Sequence, residues 1–145
     1  MNKEFIPYEQ ALELKELGFN EPCFMFYEQG TSSKYPQKGI VDDYWGDYSE
    51  PRDWNSIPNK PWKPFCLCVS APLYQQAFRW FREKKMLAEI KAVEDWNTWG
   101  FRIFEEDCMS PFYMSYYDYD VNDYNSYEEA EVACLKKLIE IAKNK

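Results

Sequence analysis

The sequence has no histidine, only five glycines and no long apolar run. Without histidine, the Ser-His-Asp and Cys-His nucleophile systems are excluded, as are His-based zinc sites, His-ligated haem and an imidazole that titrates near pH 7. The glycines stand at 18, 30, 39, 46 and 100. No two are close enough for the dinucleotide loop G-x-G-x-x-G or the phosphate loop G-x-x-x-x-G-K-[ST]. No apolar stretch approaches the ~20 residues that span a bilayer, and Met1-Asn2-Lys3-Glu4-Phe5 lacks the apolar core of a signal peptide, so the reading is cytoplasmic, with no membrane partner. Cations are also scarce. Lys plus Arg number 17 against 25 Asp plus Glu, a formal charge of −8. Direct nucleic-acid binding is not expected, because that affinity rests on a net basic surface. The five cysteines are an odd number; only Cys66 and Cys68 lie close, as C-x-C, and buried, reduced thiols are expected rather than a zinc or redox pair.

What is present is aromatic and acidic. Phe, Trp and Tyr make up 19% of the 145 residues, enough with the aliphatics for one α+β domain over 1–145, which at this length buries about 70% of its unfolded surface without disulfides or metal. The segment Ile103 to Leu135 holds nine acids and no Lys or Arg, so nearly all the net charge belongs to it.

Three segments carry helical periodicity and start alike: Pro7-Tyr8-Glu9-Gln10-Ala11, Leu73-Tyr74-Gln75-Gln76-Ala77 and Ser126-Tyr127-Glu128-Glu129-Ala130. Pro7 and Pro72 suit a first turn, where a missing N–H costs nothing, and acids there complement the positive helix end. The first helix is predicted over about 7–17, closed by a left-handed Gly18 that folds Phe19 back on Leu14. The second runs from about Pro72 to Lys85 with Tyr74, Ala77, Phe78 and Phe81 on one stripe, leaving Trp80 off it, either exposed or covered by a loop. The third opens with the capping box Ser126-x-x-Glu129 and aligns Tyr127, Ala130, Cys134, Leu138 and Ile141, widened by Val132, Leu135 and Ile139.

Strands are predicted at Cys23 to Glu28, Gly39 to Trp45, Phe65 to Val69, Leu87 to Glu94, Phe101 to Glu106 and Phe112 to Asp118. The last three, joined by the short breaks Asp95 to Gly100 and Asp107 to Pro111, form an antiparallel three-stranded meander. The fold class is α+β, an antiparallel sheet with three helices mainly on one face. Prolines at 51, 58, 61 and 64 forbid regular structure in a loop at about 47–64, where Trp54 and Trp62 offer aromatic contacts.

The run Asp118-Tyr119-Asp120-Val121-Asn122-Asp123-Tyr124-Asn125-Ser126-Tyr127-Glu128-Glu129 places oxygen side chains at positions 1, 3, 5, 9 and 12 of a calcium loop. Asp123 stands where the sharp turn demands glycine, and a strand precedes the loop instead of a helix. A strand-to-helix turn and the capping box account for the same residues, with Glu129 returning to the Ser126 amide. No metal and no cofactor is assigned, and no spacing selects a catalytic pair among the acids.

The blocks Phe5-Ile6-Pro7-Tyr8-Glu9-Gln10-Ala11-Leu12 through Phe19, Ala71-Pro72-Leu73-Tyr74-Gln75-Gln76-Ala77-Phe78-Arg79-Trp80-Phe81 through Lys84, and Tyr127-Glu128-Glu129-Ala130-Glu131 through Ile141 resemble a family of small uncharacterised proteins of phages, prophages and mobile elements of Bacteroidota. The resemblance covers the three helices, about a third of the chain. It implies an accessory protein inside a bacterial host and carries over no activity or site residue.

Two function classes follow. One is a noncatalytic binding protein that engages a host or phage macromolecule, such as a component of host defence, through an acidic, aromatic surface. Its candidate residues are Asp118, Asp120, Asp123, Glu128, Glu131, Trp54 and Trp62, and its partner a protein with a basic surface. Asp118 and Asp120 are expected to alternate onto one face of a strand end. The alternative is a small-ligand-binding domain or enzyme with a pocket under the Trp- and Pro-bearing loop.

Overall fold

Pro7 has no amide hydrogen to lose, and the helix starts behind it: in the computed structural model of the chain, α1 spans Tyr8–Glu16, with Pro7 O accepting from Ala11 N at 2.9 Å. Its end is the predicted glycine closure. Gly18 is left-handed at φ +88, Gly18 N donates to Lys15 O at 3.0 Å, and Phe19 N donates to Leu14 O at 2.9 Å. These are the two bonds of a Schellman motif, and they bury Phe19 and Leu14.

The structure describes residues 4–28, 35–38, 41–42, 46–47, 50–57, 68–93, 98–106 and 114–145. The strands are β1 (Met25–Glu28), β2 (Gln37–Lys38), β3 (Val41–Asp42), β4 (Gly46–Asp47), β5 (Cys68–Ala71), β6 (Met86–Ala92), β7 (Trp99–Glu106) and β8 (Met114–Tyr124). The helices α2 (Tyr74–Glu83) and α3 (Tyr127–Lys143) complete an α+β fold with three helices among the described residues. The paired strands are antiparallel and fall into three sheets, ordered β2-β1-β5, β3-β4 and β6-β7-β8. The chain forms two compact units, Met1–Gln76 and Ala77–Lys145.

In the first unit β1 is central, flanked by β2 and β5, and α1 packs on β5. Ile6, Leu14, Phe19, Cys23, Tyr27, Trp54, Val69 and Ala71 are buried. The Tyr27 hydroxyl donates to Ile6 O at 2.7 Å, so its ring is enclosed with its polar end satisfied. Pro72 is buried ahead of α2 instead of in its first turn, and its carbonyl accepts from Ile6 N at 3.0 Å. The prediction of a strand from Phe65 shifts to Cys68–Ala71, with 65–67 outside the described residues. The strand predicted at Gly39 to Trp45 is replaced over its described part by β3, with β2 before and β4 after it; Gly39, Ile40 and Asp43 to Trp45 lie outside the described residues.

In the second unit α3 packs on β6 and β7. Directly paired Ala88 and Ile103, and Ile90 and Phe101, share one face of the sheet, and Ala130, Cys134, Leu135, Leu138, Ile139 and Ile141 are buried along the helix. Each buried Leu or Ile contributes about 1.5–3 kcal/mol of transfer free energy. Trp80, off the predicted stripe of α2, is buried at 5% exposure, edge-on to Phe81, with the Lys84 ammonium 4.4 Å from its ring centre. Of the predicted breaks Asp95 to Gly100 and Asp107 to Pro111, Trp99 and Gly100 belong instead to β7, and 95–97 and 107–111 lie outside the described residues.

Candidate binding surface

The acidic run does not fold as its composition predicts. Asp and Asn are poor strand formers, so the sequence places a turn after Asp118. The backbone instead continues as β8 to Tyr124, paired with β7 through Trp99 opposite Tyr124 and Phe101 opposite Val121. From Phe101 to Ile103 is two residues on β7 but four on β8, from Val121 to Tyr117; from Trp99 to Phe101 is two against three. The extra residues bulge, and Asp118, Asp120 and Asp123 fall among them. A strand extended to Tyr124 is not the turn that the calcium pattern needs over the same residues.

Two residues, Asn125 and Ser126, then turn the chain into α3. The Ser126 hydroxyl accepts from Glu129 N at 3.2 Å, as the capping box predicts. The Glu129 carboxylate accepts from Asn125 N at 3.1 Å, one residue before the expected Ser126 amide. With Ser126 extended at φ −142 and ψ 161, the carboxylate closes on the neighbouring peptide. Strand, turn and helix thus put Asp118, Asp120 and Asp123 on one continuous segment with Glu128 and Glu131.

Tyr127, expected on the buried face of α3, is 42% exposed. As the first residue of the helix it lies beside the start of β7, where Trp99 meets it edge-to-face with ring centres 5.4 Å apart and planes at 89°. Burial, then the charges of Glu131, Cys134 and Glu128, hold its phenol above the usual tyrosine range. Burial, then Glu128, likewise holds the Glu131 carboxyl above the usual carboxylate range. Neither Glu128 nor Glu131 has an ion-pair partner among the described residues. Trp99 was missed because a tryptophan between Thr98 and Gly100 reads as a loop residue; only its pairing across β7 and β8 brings it to Tyr127.

Trp54 does not belong to this surface. It is buried at 3% exposure, stacked on Phe26 with ring centres 4.4 Å apart, and its indole N–H donates to Cys23 O at 2.8 Å. Its one polar atom finds a carbonyl in the interior, so burying the ring is favourable. Beside it Asn55 Nδ2 donates to Phe19 O at 2.8 Å and Asn55 Oδ1 accepts from Ser70 N at 2.9 Å. Arg52 and Cys23 exchange backbone bonds of 2.9 and 3.2 Å. The described part of the long loop is thus fastened to the sheet, with the Trp54 ring buried. Trp62 lies outside the described residues.

The thiols of Cys23 and Cys134 are free and buried, and burial pushes both up to about 12, so neither is a nucleophile at neutral pH. Cys66 and Cys108 lie outside the described residues. No helix among the described residues is long and apolar enough to cross a membrane. The chain matches no family model, no curated protein and no solved structure.

Proposed function

We propose that this is a noncatalytic binding protein that engages a basic macromolecule through the acidic, aromatic segment running from β8 into α3. The observation that carries the reading is the concentration of negative charge in one segment. Nine acids between Ile103 and Leu135 share their segment with no Lys or Arg, and burial, then Glu128, holds the Glu131 carboxyl above the usual carboxylate range. A fold bears such repulsion at a cost of a few tenths of a kcal/mol per close pair, and an incoming cationic surface relieves it. The partner is a protein with a basic surface, and binding to nucleic acid itself is disfavoured by the charge of −8. The family resemblance supports a setting in the cytoplasm of a bacterial host, with the protein as a phage or mobile-element accessory factor. An inhibitor that occupies the basic groove of a host defence enzyme is the concrete version.

The test is affinity capture from host lysate at about 0.05 M and about 0.5 M salt, with the wild type and an Asp118→Lys, Asp120→Lys, Asp123→Lys variant. A partner retained by the wild type at low salt, and lost both at high salt and in the variant, is the expected result. Capture indifferent to salt and to charge reversal, or capture of none, ends the reading.

A further inference from the structure

Three tryptophans lie among the described residues, and the fold seats a cation on two of them. The Arg52 guanidinium lies 5.6 Å from the Trp54 ring centre, and the Lys84 ammonium 4.4 Å from that of Trp80. The third, Trp99, has no cation over it among the described residues, yet its surroundings suit one better. Tyr127 stands at 89° to it with ring centres 5.4 Å apart, so the two rings form perpendicular walls, and Tyr127 is exposed. Glu128 follows Tyr127 directly, and Glu131 stands one helical turn beyond it on the same side. Both charges are felt at the Tyr127 phenol.

We infer that the Trp99–Tyr127 corner, with Glu128 and Glu131 at its rim, is the seat of an arginine side chain presented by a protein partner. The inference rests on the binding function proposed above and names the group that is read. Aromatic faces attract cations through their negative quadrupole, and carboxylates at the edge supply the hydrogen-bond acceptors that a bare ring pair lacks. Arginine fits better than lysine because its guanidinium is planar and weakly hydrated. It lies flat on one ring while its N–H edge points to a carboxylate, whereas an ammonium loses strongly held water to do the same. The uncompensated pair of carboxylates, three residues apart on one helix, is what such a cation neutralises.

The test uses the full chain, isotope-labelled, with two peptides of equal charge: three arginines spaced by glycines, and the same peptide with lysines. Titration at about 0.15 M salt, where loose attraction is screened, follows the Trp99 indole N–H, assigned through Trp99→Phe. The expected result is a saturable shift of that signal with the arginine peptide binding about fivefold or more tighter than the lysine peptide. Tyr127→Ala weakens the arginine peptide about tenfold, Tyr127→Phe keeps it, and Glu128→Gln with Glu131→Gln weakens it by several-fold. Equal affinity for the two peptides, or indifference to Tyr127→Ala, overturns the inference. Its failure is separable from that of the proposed function. Macromolecular capture that survives Tyr127→Ala but not charge reversal at Asp118, Asp120 and Asp123 upholds the function and removes the arginine seat. Peptide binding at Trp99 without any captured partner upholds the seat and removes the function.

Discussion

Lys85 closes α2 in the left-handed region at φ +67, a position that Gly18 fills at the end of α1. Lys85 N donates to Arg82 O at 2.9 Å, and β6 begins at the next residue, so the turn has no room for another geometry. A side chain there costs about 1–2 kcal/mol, partly offset because glycine gives the unfolded chain more freedom. Lys85→Gly is expected to stabilise by up to about 1 kcal/mol, read as a melting temperature about 2–4 °C higher. Glu131 carries a different kind of strain. Its folded carboxyl titrates above its ordinary value, so the stability it contributes is full below the unfolded pKa and is lost as pH rises through the folded one. Glu131→Gln, which cannot ionise, should therefore raise the urea midpoint at pH 7 and lose that advantage near pH 4. An equal effect at both values would show that charge is not the cause.

The shared Tyr-Glx-Glx-Ala pattern acquires a physical meaning at the level of the element. In α2 the Gln76 side chain accepts from Leu73 N at 3.0 Å, and in α3 Glu129 reaches back to Asn125 N. The alanine that follows is buried in every case: Ala11 at 1%, Ala77 and Ala130 at 0%. The pattern is thus a reach-back acceptor plus a small residue for close packing. The helices α2 and α3 share both parts, whereas α1, which starts behind Pro7 with no side-chain cap bond, keeps only the buried alanine. Ser126→Ala removes the other half of the α3 cap and should cost about 1 kcal/mol in chemical denaturation, with or without calcium. The bulged β8 has a separate logic. It is an edge of its sheet among the described residues, and bulges with charge are how edge strands avoid pairing with other chains. The acids that read as a loop are tolerable in a strand for that reason.

At the scale of the whole molecule, charge and loop anchoring matter most. Residues 1–76 carry 7 cations against 11 acids and residues 77–145 carry 10 against 14, a net −4 each, which together make −8. Self-repulsion on that scale is screened by salt, so the melting temperature should rise between about 0.01 M and about 0.15 M sodium chloride. A fall would mean that favourable ion pairs outweigh the repulsion. The anchored loop is tested by Asn55→Ala, which leaves Phe19 O and Ser70 N without their side-chain partner. The expected loss is about 1–3 kcal/mol, the cost of unpaired buried groups. A neutral result would show that water replaces the amide there.

The sequence by itself determined what depends on neighbours within a turn or two. Gly18 stops α1, Ser126 and Glu129 cap α3, the apolar period of α3 selects its buried face, and the acids gather between Ile103 and Leu135. Such signals act through the backbone conformations and short-range bonds of the residues that carry them. Tertiary structure decided the fate of each ring. Trp54, offered by its loop for contacts, is buried; Trp80, whose place off the stripe left its burial open, is buried; and Tyr127 is exposed against the period of α3, because a ring's burial depends on segments that arrive from far along the chain. Trp54 needed the Cys23 carbonyl, 31 residues away, to satisfy its N–H. Trp99 needed the pairing of β7 with β8 to reach Tyr127. The same pairing drew the acidic run out as strand to Tyr124, because the ladder bonds offered by β7 and the bulges that absorb extra residues outweighed the weak strand preference of Asp and Asn.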